Sequence, residues 1–494
     1  MTSIDLAAAA SLKAPILDAS ALRARHDALS RPYDLVDHEL LERQRRFESN
    51  ARSYPRRLPI ALARAKGIYV EDVAGRVFID CLAAAGTLVL GHNHAVAREA
   101  MERALRDELP LQTLDLATPV KDRFVQDLRS LLPDELAARA RIQFCGPAGT
   151  DAVEAALKLV KTATGRSTLL SFHGAYHGMS HGALALMGSL GPKRDVGGLM
   201  PDVQFLPYPY AFRCPFGLGG EAGETAGLRY IETVLTDPES GVRPPAAMIV
   251  EAVQGEGGVV PASARWLREI RRLTRAANVP LIVDEIQTGL CRTGRLFAFQ
   301  HAEIVPDVVV LSKAIGGGLP MSVVIYDEAL DRWKPGAHAG TFRGNQLAMA
   351  AGSATIQFAL REQLDRHAAA MGERLRGHLR ELGRRHAFVG DVRGRGLMLG
   401  LEIIDPAGAP GPATSIGPGP RPTHGALASA LQLACLRRGL IIELGGRDGS
   451  TMRFLPPLII TAHEVDHVGE ILAAAFASVP SDLVDGAAAT TART

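Results

Sequence analysis

Cysteine is scarce in this 494-residue chain: Cys81, Cys145, Cys214, Cys291 and Cys435 are odd in number and far apart. Such a set does not read as a disulfide framework and suits thiols kept reduced, so a cytoplasmic setting is expected. A surplus of either charge is missing too. The 55 basic and 53 acidic residues are interspersed and leave a formal net charge of +2, which provides no field for nucleic acid or for a membrane surface. No apolar run reaches the ~20 residues that span a bilayer, and Asp5 and Lys13 interrupt the alanine-rich stretch Met1 to Ala14 where a signal peptide would stand. No Gly-Lys dipeptide occurs anywhere, which excludes a phosphate loop of the G-x-x-x-x-G-K-[ST] kind. What is present is 47% hydrophobic residues over a length that buries more than one core, so two domains are expected.

Lysine is also scarce, with eight among the 55 basic residues, and one of them stands apart. Lys313 follows the apolar run Val308 to Leu311 and leads into Gly316-Gly317-Gly318. A second apolar run, Pro280-Leu281-Ile282-Val283, ends in Asp284-Glu285-Ile286-Gln287-Thr288-Gly289. Together with Thr168 to Phe172 and Met248 to Glu251, these runs read as strands buried on both faces of a mostly parallel sheet, with a helix over Trp266 to Ala277 between two of them. Ligands of such sheets bind in the crevice at the carboxyl ends of the strands, where an amine from Lys313 and a carboxylate from Asp284 would meet.

An amine placed in this way suits a Schiff base with pyridoxal phosphate, a cofactor that also requires a carboxylate at its ring nitrogen, a phosphate cup and an aromatic lid. A cup is offered by Gly146-Pro147-Ala148-Gly149-Thr150 ahead of an amphipathic helix over Asp151 to Gly165, whose Val153, Ala156, Leu157 and Val160 share one face. Free N–H groups at a helix start suit a phosphate dianion. A lid is offered by Phe172-His173-Gly174-Ala175-Tyr176-His177-Gly178.

Two rival motifs fail. Gly178-Met179-Ser180-His181-Gly182 spells the G-x-S-x-G of a hydrolase, but it lies within the lid segment and not at a strand-to-helix elbow. His173, His177 and His181 have the spacing of metal ligands on a helix, but Gly174, Gly178 and Gly182 disfavour a helix there.

From about Leu58 to Thr461 the chain resembles the class III pyridoxal-phosphate aminotransferases, a branch of the fold type I transferases. The resemblance is carried, in order, by Gly67-Ile68-Tyr69-Val70-Glu71-Asp72, Leu90-Gly91-His92-Asn93-His94, Ala148-Gly149-Thr150, Ala175-Tyr176-His177-Gly178, Gln254-Gly255-Glu256, the run ending Asp284 to Gly289, Ser312-Lys313, and Arg453 before Pro456-Pro457. It implies an α/β fold with a large, mostly parallel-sheet domain and a smaller α+β domain. It implies pyridoxal 5'-phosphate as cofactor, bound to Lys313, with Asp284 on the ring nitrogen and Gln287 on the phenolic oxygen. Tyr176 and Ile286 would cover the two ring faces, His177 would belong to the cofactor site, and Gly149 and Thr150 would hold the phosphate. Thr341 would reach the phosphate of a neighbouring subunit, so a homodimer or a dimer of dimers is expected. Arg453 would clamp the carboxylate of 2-oxoglutarate, and Glu256 would neutralise that arginine when the amine donor occupies the site.

Within the family the chain is most similar to the 2,4-diaminobutyrate branch, through Leu114 to Lys121, Phe144 to Glu154, Arg213 to Gly217 and Gly340 to Gln346. That branch implies transfer of the 4-amino group of L-2,4-diaminobutyrate to 2-oxoglutarate. Another omega-amine transaminase, or an isomerase or decarboxylase on the same cofactor core, is the alternative. The expected organisation is a helical arm at 1–45, small-domain parts at 46–94 and 346–494, a large cofactor domain at 95–345, and an insertion at 405–425.

Overall fold

The computed structural model describes residues 18–409 and 420–480. Residues 1–17 of the expected arm and 410–419 of the expected insertion lie outside the described residues.

A seven-stranded sheet organises the chain, in the order Ala140–Phe144, Val323–Asp327, Val308–Leu311, Leu281–Asp284, Ala247–Val250, Leu169–Phe172, Val203–Leu206. Only Val323–Asp327 runs against its two neighbours, and every other pairing is parallel. The central strands consist of side chains buried on both faces, which is why they stand out in the sequence as unbroken apolar runs. Each buried valine, leucine or isoleucine contributes roughly 1.5–3 kcal/mol relative to exposure. The helix Ala264–Ala276 begins at Ser263, whose side chain accepts from Trp266 N at 3.0 Å. It buries Trp266, Leu267, Ile270 and Leu273, and the Trp266 ring lies 5.3 Å from Phe172 and 5.5 Å from Tyr208, tying the helix to the sheet.

The helix expected from Asp151 starts earlier, at Gly149, and runs to Thr164, where Gly165 at φ +68° ends it. Gly149 and Thr150 therefore occupy the first helical turn, and their N–H groups are among those left without intrahelical partners.

Two four-stranded sheets and a two-stranded one, Val253–Gln254 with Val260–Pro261, accompany the seven-stranded sheet among the described residues. One four-stranded sheet joins the antiparallel strands Leu62–Lys66, Tyr69–Asp72 and Val77–Asp80 to Leu440–Ile441, and so brings the two ends of the described chain together. The hairpin of Tyr69–Asp72 and Val77–Asp80 turns at Gly75, whose φ is +76°. The other four-stranded sheet contains Val389–Arg395, Met398–Ile403, Thr451–Phe454 and Glu443–Gly445, and carries Arg453. No helix among the described residues is long and apolar enough to cross a membrane.

Candidate active site

A cavity of about 270 Å³ opens at the carboxyl ends of the central strands. Gly149, Thr150, Tyr176, His177, Glu256, Asp284, Ile286, Gln287 and Lys313 all contribute to its lining. Topology explains the convergence: Lys313 lies two residues past its strand, Asp284 ends the neighbouring one, and Glu251 directly follows the next.

Lys313 has a left-handed backbone, φ +47°, at the start of the tight turn Lys313–Gly316. Such a conformation is uncommon for a residue with a side chain and costs of order 1 kcal/mol or more, so the surrounding turn must hold it. No hydrogen bond or ion pair engages its amine among the described residues. Burial lowers its proton affinity, with Arg453 acting in the same direction and the charges of Glu256 and Asp284 opposing.

Asp284 is 5% exposed. It accepts from Ile286 N at 3.0 Å through Oδ1, and its Oδ2 lies 2.8 Å from Nδ1 of the buried His177. Burial disfavours the charged imidazole, but the hydrogen bond and charge of Asp284, helped by Glu251, raise its pKa above the ordinary histidine value. Nε2 of His177 is buried without a hydrogen-bond partner. Glu251 accepts from Tyr176 N and Gly255 N, each at 2.9 Å, and burial pushes its pKa up to about 7 although His177 opposes the shift. Its neighbour in sequence to Asp284, Glu285, turns away instead: it accepts from Ala298 N at 3.0 Å and Phe299 N at 2.9 Å and serves the fold.

On the other side, Arg453 is fully buried. Its Nη1 lies 2.8 Å from Glu256 Oε1 and 3.4 Å from Glu443 Oε2, and Nη2 donates to Gln287 Oε1 at 3.0 Å. Burial opposes the guanidinium charge, but the two carboxylates outweigh it and raise its pKa. Burial likewise opposes ionisation of Glu256, yet Arg453 and Lys313 hold its carboxyl below the usual range. Gln287 also donates to Ala85 O at 3.1 Å. Ala83, Ala84 and Ala85 are all left-handed, with φ of 47°, 51° and 57°, an arrangement costing roughly 1–2 kcal/mol per residue. Strain of this kind, adjacent to Gln287, fixes the carbonyl that orients it.

Thr341 does not reach this cavity. It is exposed at the start of the turn Thr341–Gly344, next to Phe342 at 57% exposure. Glu251, Glu443 and Tyr54, whose hydroxyl donates to Glu443 Oε1 at 2.6 Å, join the site without having been singled out from the sequence. For Glu251 a signal existed, because it directly follows a buried strand, much as Asp284 ends one. Ser180 bonds Thr150 and Glu154, with no histidine base, and the three spaced histidines form no metal-ligand group among the described residues.

The donor set fits a phosphorylated aromatic aldehyde. The Lys313 amine is uncommitted, the Asp284 carboxylate is buried beside it, and a helix start faces the cavity. A Cβ at Gly149 would stand 3.0 Å from two atoms of Ile286, so a larger residue there would press on the cavity wall.

Residues 50–476 match the family described as aminotransferase class-III, and the chain belongs to that family. Among its relatives, the diaminobutyrate--2-oxoglutarate aminotransferase of Rhizobium meliloti strain 1021 is 60% identical over 437 residues, covering 88% of this chain and 92% of that protein. The protein of the same description from Haemophilus influenzae is 49% identical over 430 residues, covering 87% and 93%. Among solved structures, a PLP-bound amine transaminase from an uncultivated Pseudomonas species superposes with a TM-score of 0.76 at 26% identity, over 87% of this chain and 97% of that one.

Proposed function

We propose that the protein transfers the 4-amino group of L-2,4-diaminobutyrate to 2-oxoglutarate, giving L-aspartate 4-semialdehyde and L-glutamate, with pyridoxal 5'-phosphate as cofactor. The observation that carries this reading is the uncommitted Lys313 amine set between the Asp284–His177 pair and the Arg453–Glu256 pair. High identity to relatives of that description over nearly their full length supports the choice of substrates.

When bound, the cofactor supplies an electron sink for the pair left on the substrate carbon as its proton departs. Asp284, fixed by His177 and Ile286 N, would place its carboxyl group at the ring nitrogen. Lys313 would hold the cofactor at rest, and its Nζ, when not so engaged, would take up and deliver the proton that leaves the amine-bearing carbon. Burial, which lowers that amine's proton affinity, suits it to act as a base. The first-turn N–H groups of Gly149 and Thr150 would hold the phosphate, and Tyr176 and Ile286 would confine the ring. Arg453 would bind the acceptor's carboxylate through its planar fork after Glu256 lets go.

We also infer a homodimer or a dimer of dimers, with Thr341 serving the partner's phosphate. Its support is the exposed apolar set Leu111, Leu114, Leu116 and Phe342 around that turn. A cytoplasmic setting is supported by five free cysteines, four of them buried. The proposed division into a large domain at 95–345 and a small one from 46–94 and 346–494 is supported by the pairing of Ile79 with Leu440. The deciding experiment is a panel of amine donors with 2-oxoglutarate, reading L-glutamate and the aldehyde product. Fastest turnover with L-2,4-diaminobutyrate is expected, and preference for L-ornithine or 4-aminobutyrate would overturn the assignment.

A further inference from the structure

The strand pair that carries Arg453 also carries a carboxylate for which the reaction described above has no use. Glu443 stands directly opposite Arg453 in the antiparallel ladder and is 6% exposed. Its Oε1 is held by the Tyr54 hydroxyl at 2.6 Å. Its Oε2 lies 3.4 Å from Arg453 Nη1 and receives no hydrogen bond, while Glu256 Oε1 is nearer the same guanidinium nitrogen at 2.8 Å. One guanidinium thus faces two carboxylates, and the one more weakly engaged is the more deeply buried. A buried carboxylate oxygen that receives no hydrogen bond, and whose ion-pair partner Arg453 is held more closely by Glu256, calls for an explanation, and a bound cation supplies one. The charge of Glu443 acts on both Lys313 and Tyr176, so the carboxylate shares the electrostatic environment of the reacting amine.

We propose that Glu443 Oε2 receives the far ammonium group of the amine donor, the 2-ammonium of L-2,4-diaminobutyrate, and selects donors that carry a second amine. The inference rests on the transaminase reading above and names the part of the site that recognises the donor. Charge counting carries it. With Glu256 paired to Arg453, those two groups neutralise each other, and the Glu443 carboxylate is left disfavoured by its burial, which Arg453 only partly opposes and the charge of Glu256 reinforces, a penalty that an incoming ammonium would offset. With 2-oxoglutarate bound, the acceptor's carboxylate replaces Glu256 on Arg453 and brings no cation for Glu443. A donor whose far end carries only a carboxylate would meet like charge there. Tyr54 keeps the carboxylate from rotating away by holding the other oxygen.

The test is Glu443→Gln in the cofactor-loaded enzyme, a substitution that preserves size and can still accept from Tyr54. Half-reactions with L-2,4-diaminobutyrate and with L-glutamate, which has no second ammonium, are compared. The expected result is a loss of kcat/KM for diaminobutyrate that exceeds the loss for L-glutamate on the order of ten-fold or more and resides in KM. Titration calorimetry in a Lys313→Ala background, where binding is not followed by turnover, should show the same preferential loss. Equal losses, or a larger loss with L-glutamate, would overturn the proposal and leave Glu443 as a group that positions Arg453. If Glu443→Gln does not fold, Tyr54→Phe releases the same carboxylate and must show the same preference. If the unsubstituted protein takes no amine from diaminobutyrate, the donor assignment itself fails, and comparison of L-ornithine with 4-aminobutyrate then decides the role of Glu443 separately.

Discussion

Arg453 offers the sharpest test of how one site serves two unlike substrates. In Arg453→Ala the acceptor's carboxylate loses its charged donors, and a hydrogen bond to a charged group is worth roughly 1.5–3 kcal/mol. At about 1.4 kcal/mol per ten-fold change, the half-reaction with 2-oxoglutarate should slow by roughly 10- to 150-fold. The donor half-reaction should lose less, because Glu256 already occupies the arginine at 2.8 Å while the amine is handled. The same substitution leaves the buried Glu443 facing the half-buried Glu256, and breaking a buried ion pair costs up to about 3–5 kcal/mol of stability. Arg453→Lys separates the two effects. It keeps the charge between the carboxylates but loses the fork, so it should recover most of the stability and little of the acceptor rate. Stopped-flow measurement of each half-reaction, with urea unfolding alongside, gives the rates and the stability of both variants. Equal losses in the two half-reactions of both variants would show that Arg453 only supports the fold.

Three further outcomes are expected. Lys313→Ala should abolish turnover and the visible absorbance of the bound cofactor, and borohydride should tag Lys313 in the parent protein; tagging of another lysine would refute the central assignment. Glu251→Gln in the cofactor-free protein should alter the pH dependence of stability. A carboxyl raised from 4.5 to about 7 contributes stability that is fully present below pH 4.5 and lost as pH rises through 7, so the parent's advantage over the variant should shrink across that window by up to roughly 3 kcal/mol at 1.36 kcal/mol per unit, and a constant difference in urea unfolding would contradict the burial argument. Donor labelled with nitrogen-15 at position 4 should pass its label to L-glutamate, and mass spectrometry finding the label still in the oxo product would exclude 4-amino transfer.

The parts of the site that could be read in advance are those governed by local pattern. Leu281–Asp284 and Val308–Leu311 are buried on both faces, so their apolar runs are continuous and their ends locate Asp284 and Lys313. The same rule applied to Ala247–Val250 points to Glu251. Glu443 and Tyr54 carry no such signal. Their partnership spans 389 residues and depends on the register that sets Glu443 opposite Arg453. The helix start was misplaced by two residues because glycine and threonine are poor helix formers, and tertiary packing recruited them into the first turn.

The charges around Lys313 fall into two groups with different requirements. Asp284, His177 and Glu251 form one group, in which the Asp284 carboxyl, bonded to Nδ1 of the buried His177, faces the cavity and Glu251 stands behind it. Its two carboxyl groups accept bonds from fixed backbone groups, Asp284 from Ile286 N and Glu251 from Tyr176 N and Gly255 N. Arg453, Glu256 and Glu443 form the other, and here the side chains bond mainly to one another and to Gln287 and Tyr54. A group held by backbone is rigid, whereas one held by side chains can exchange a partner for a substrate. The cofactor side is therefore built to stay constant while the Arg453 side is built to change occupant, which is what alternating an amine donor with a dicarboxylate acceptor demands.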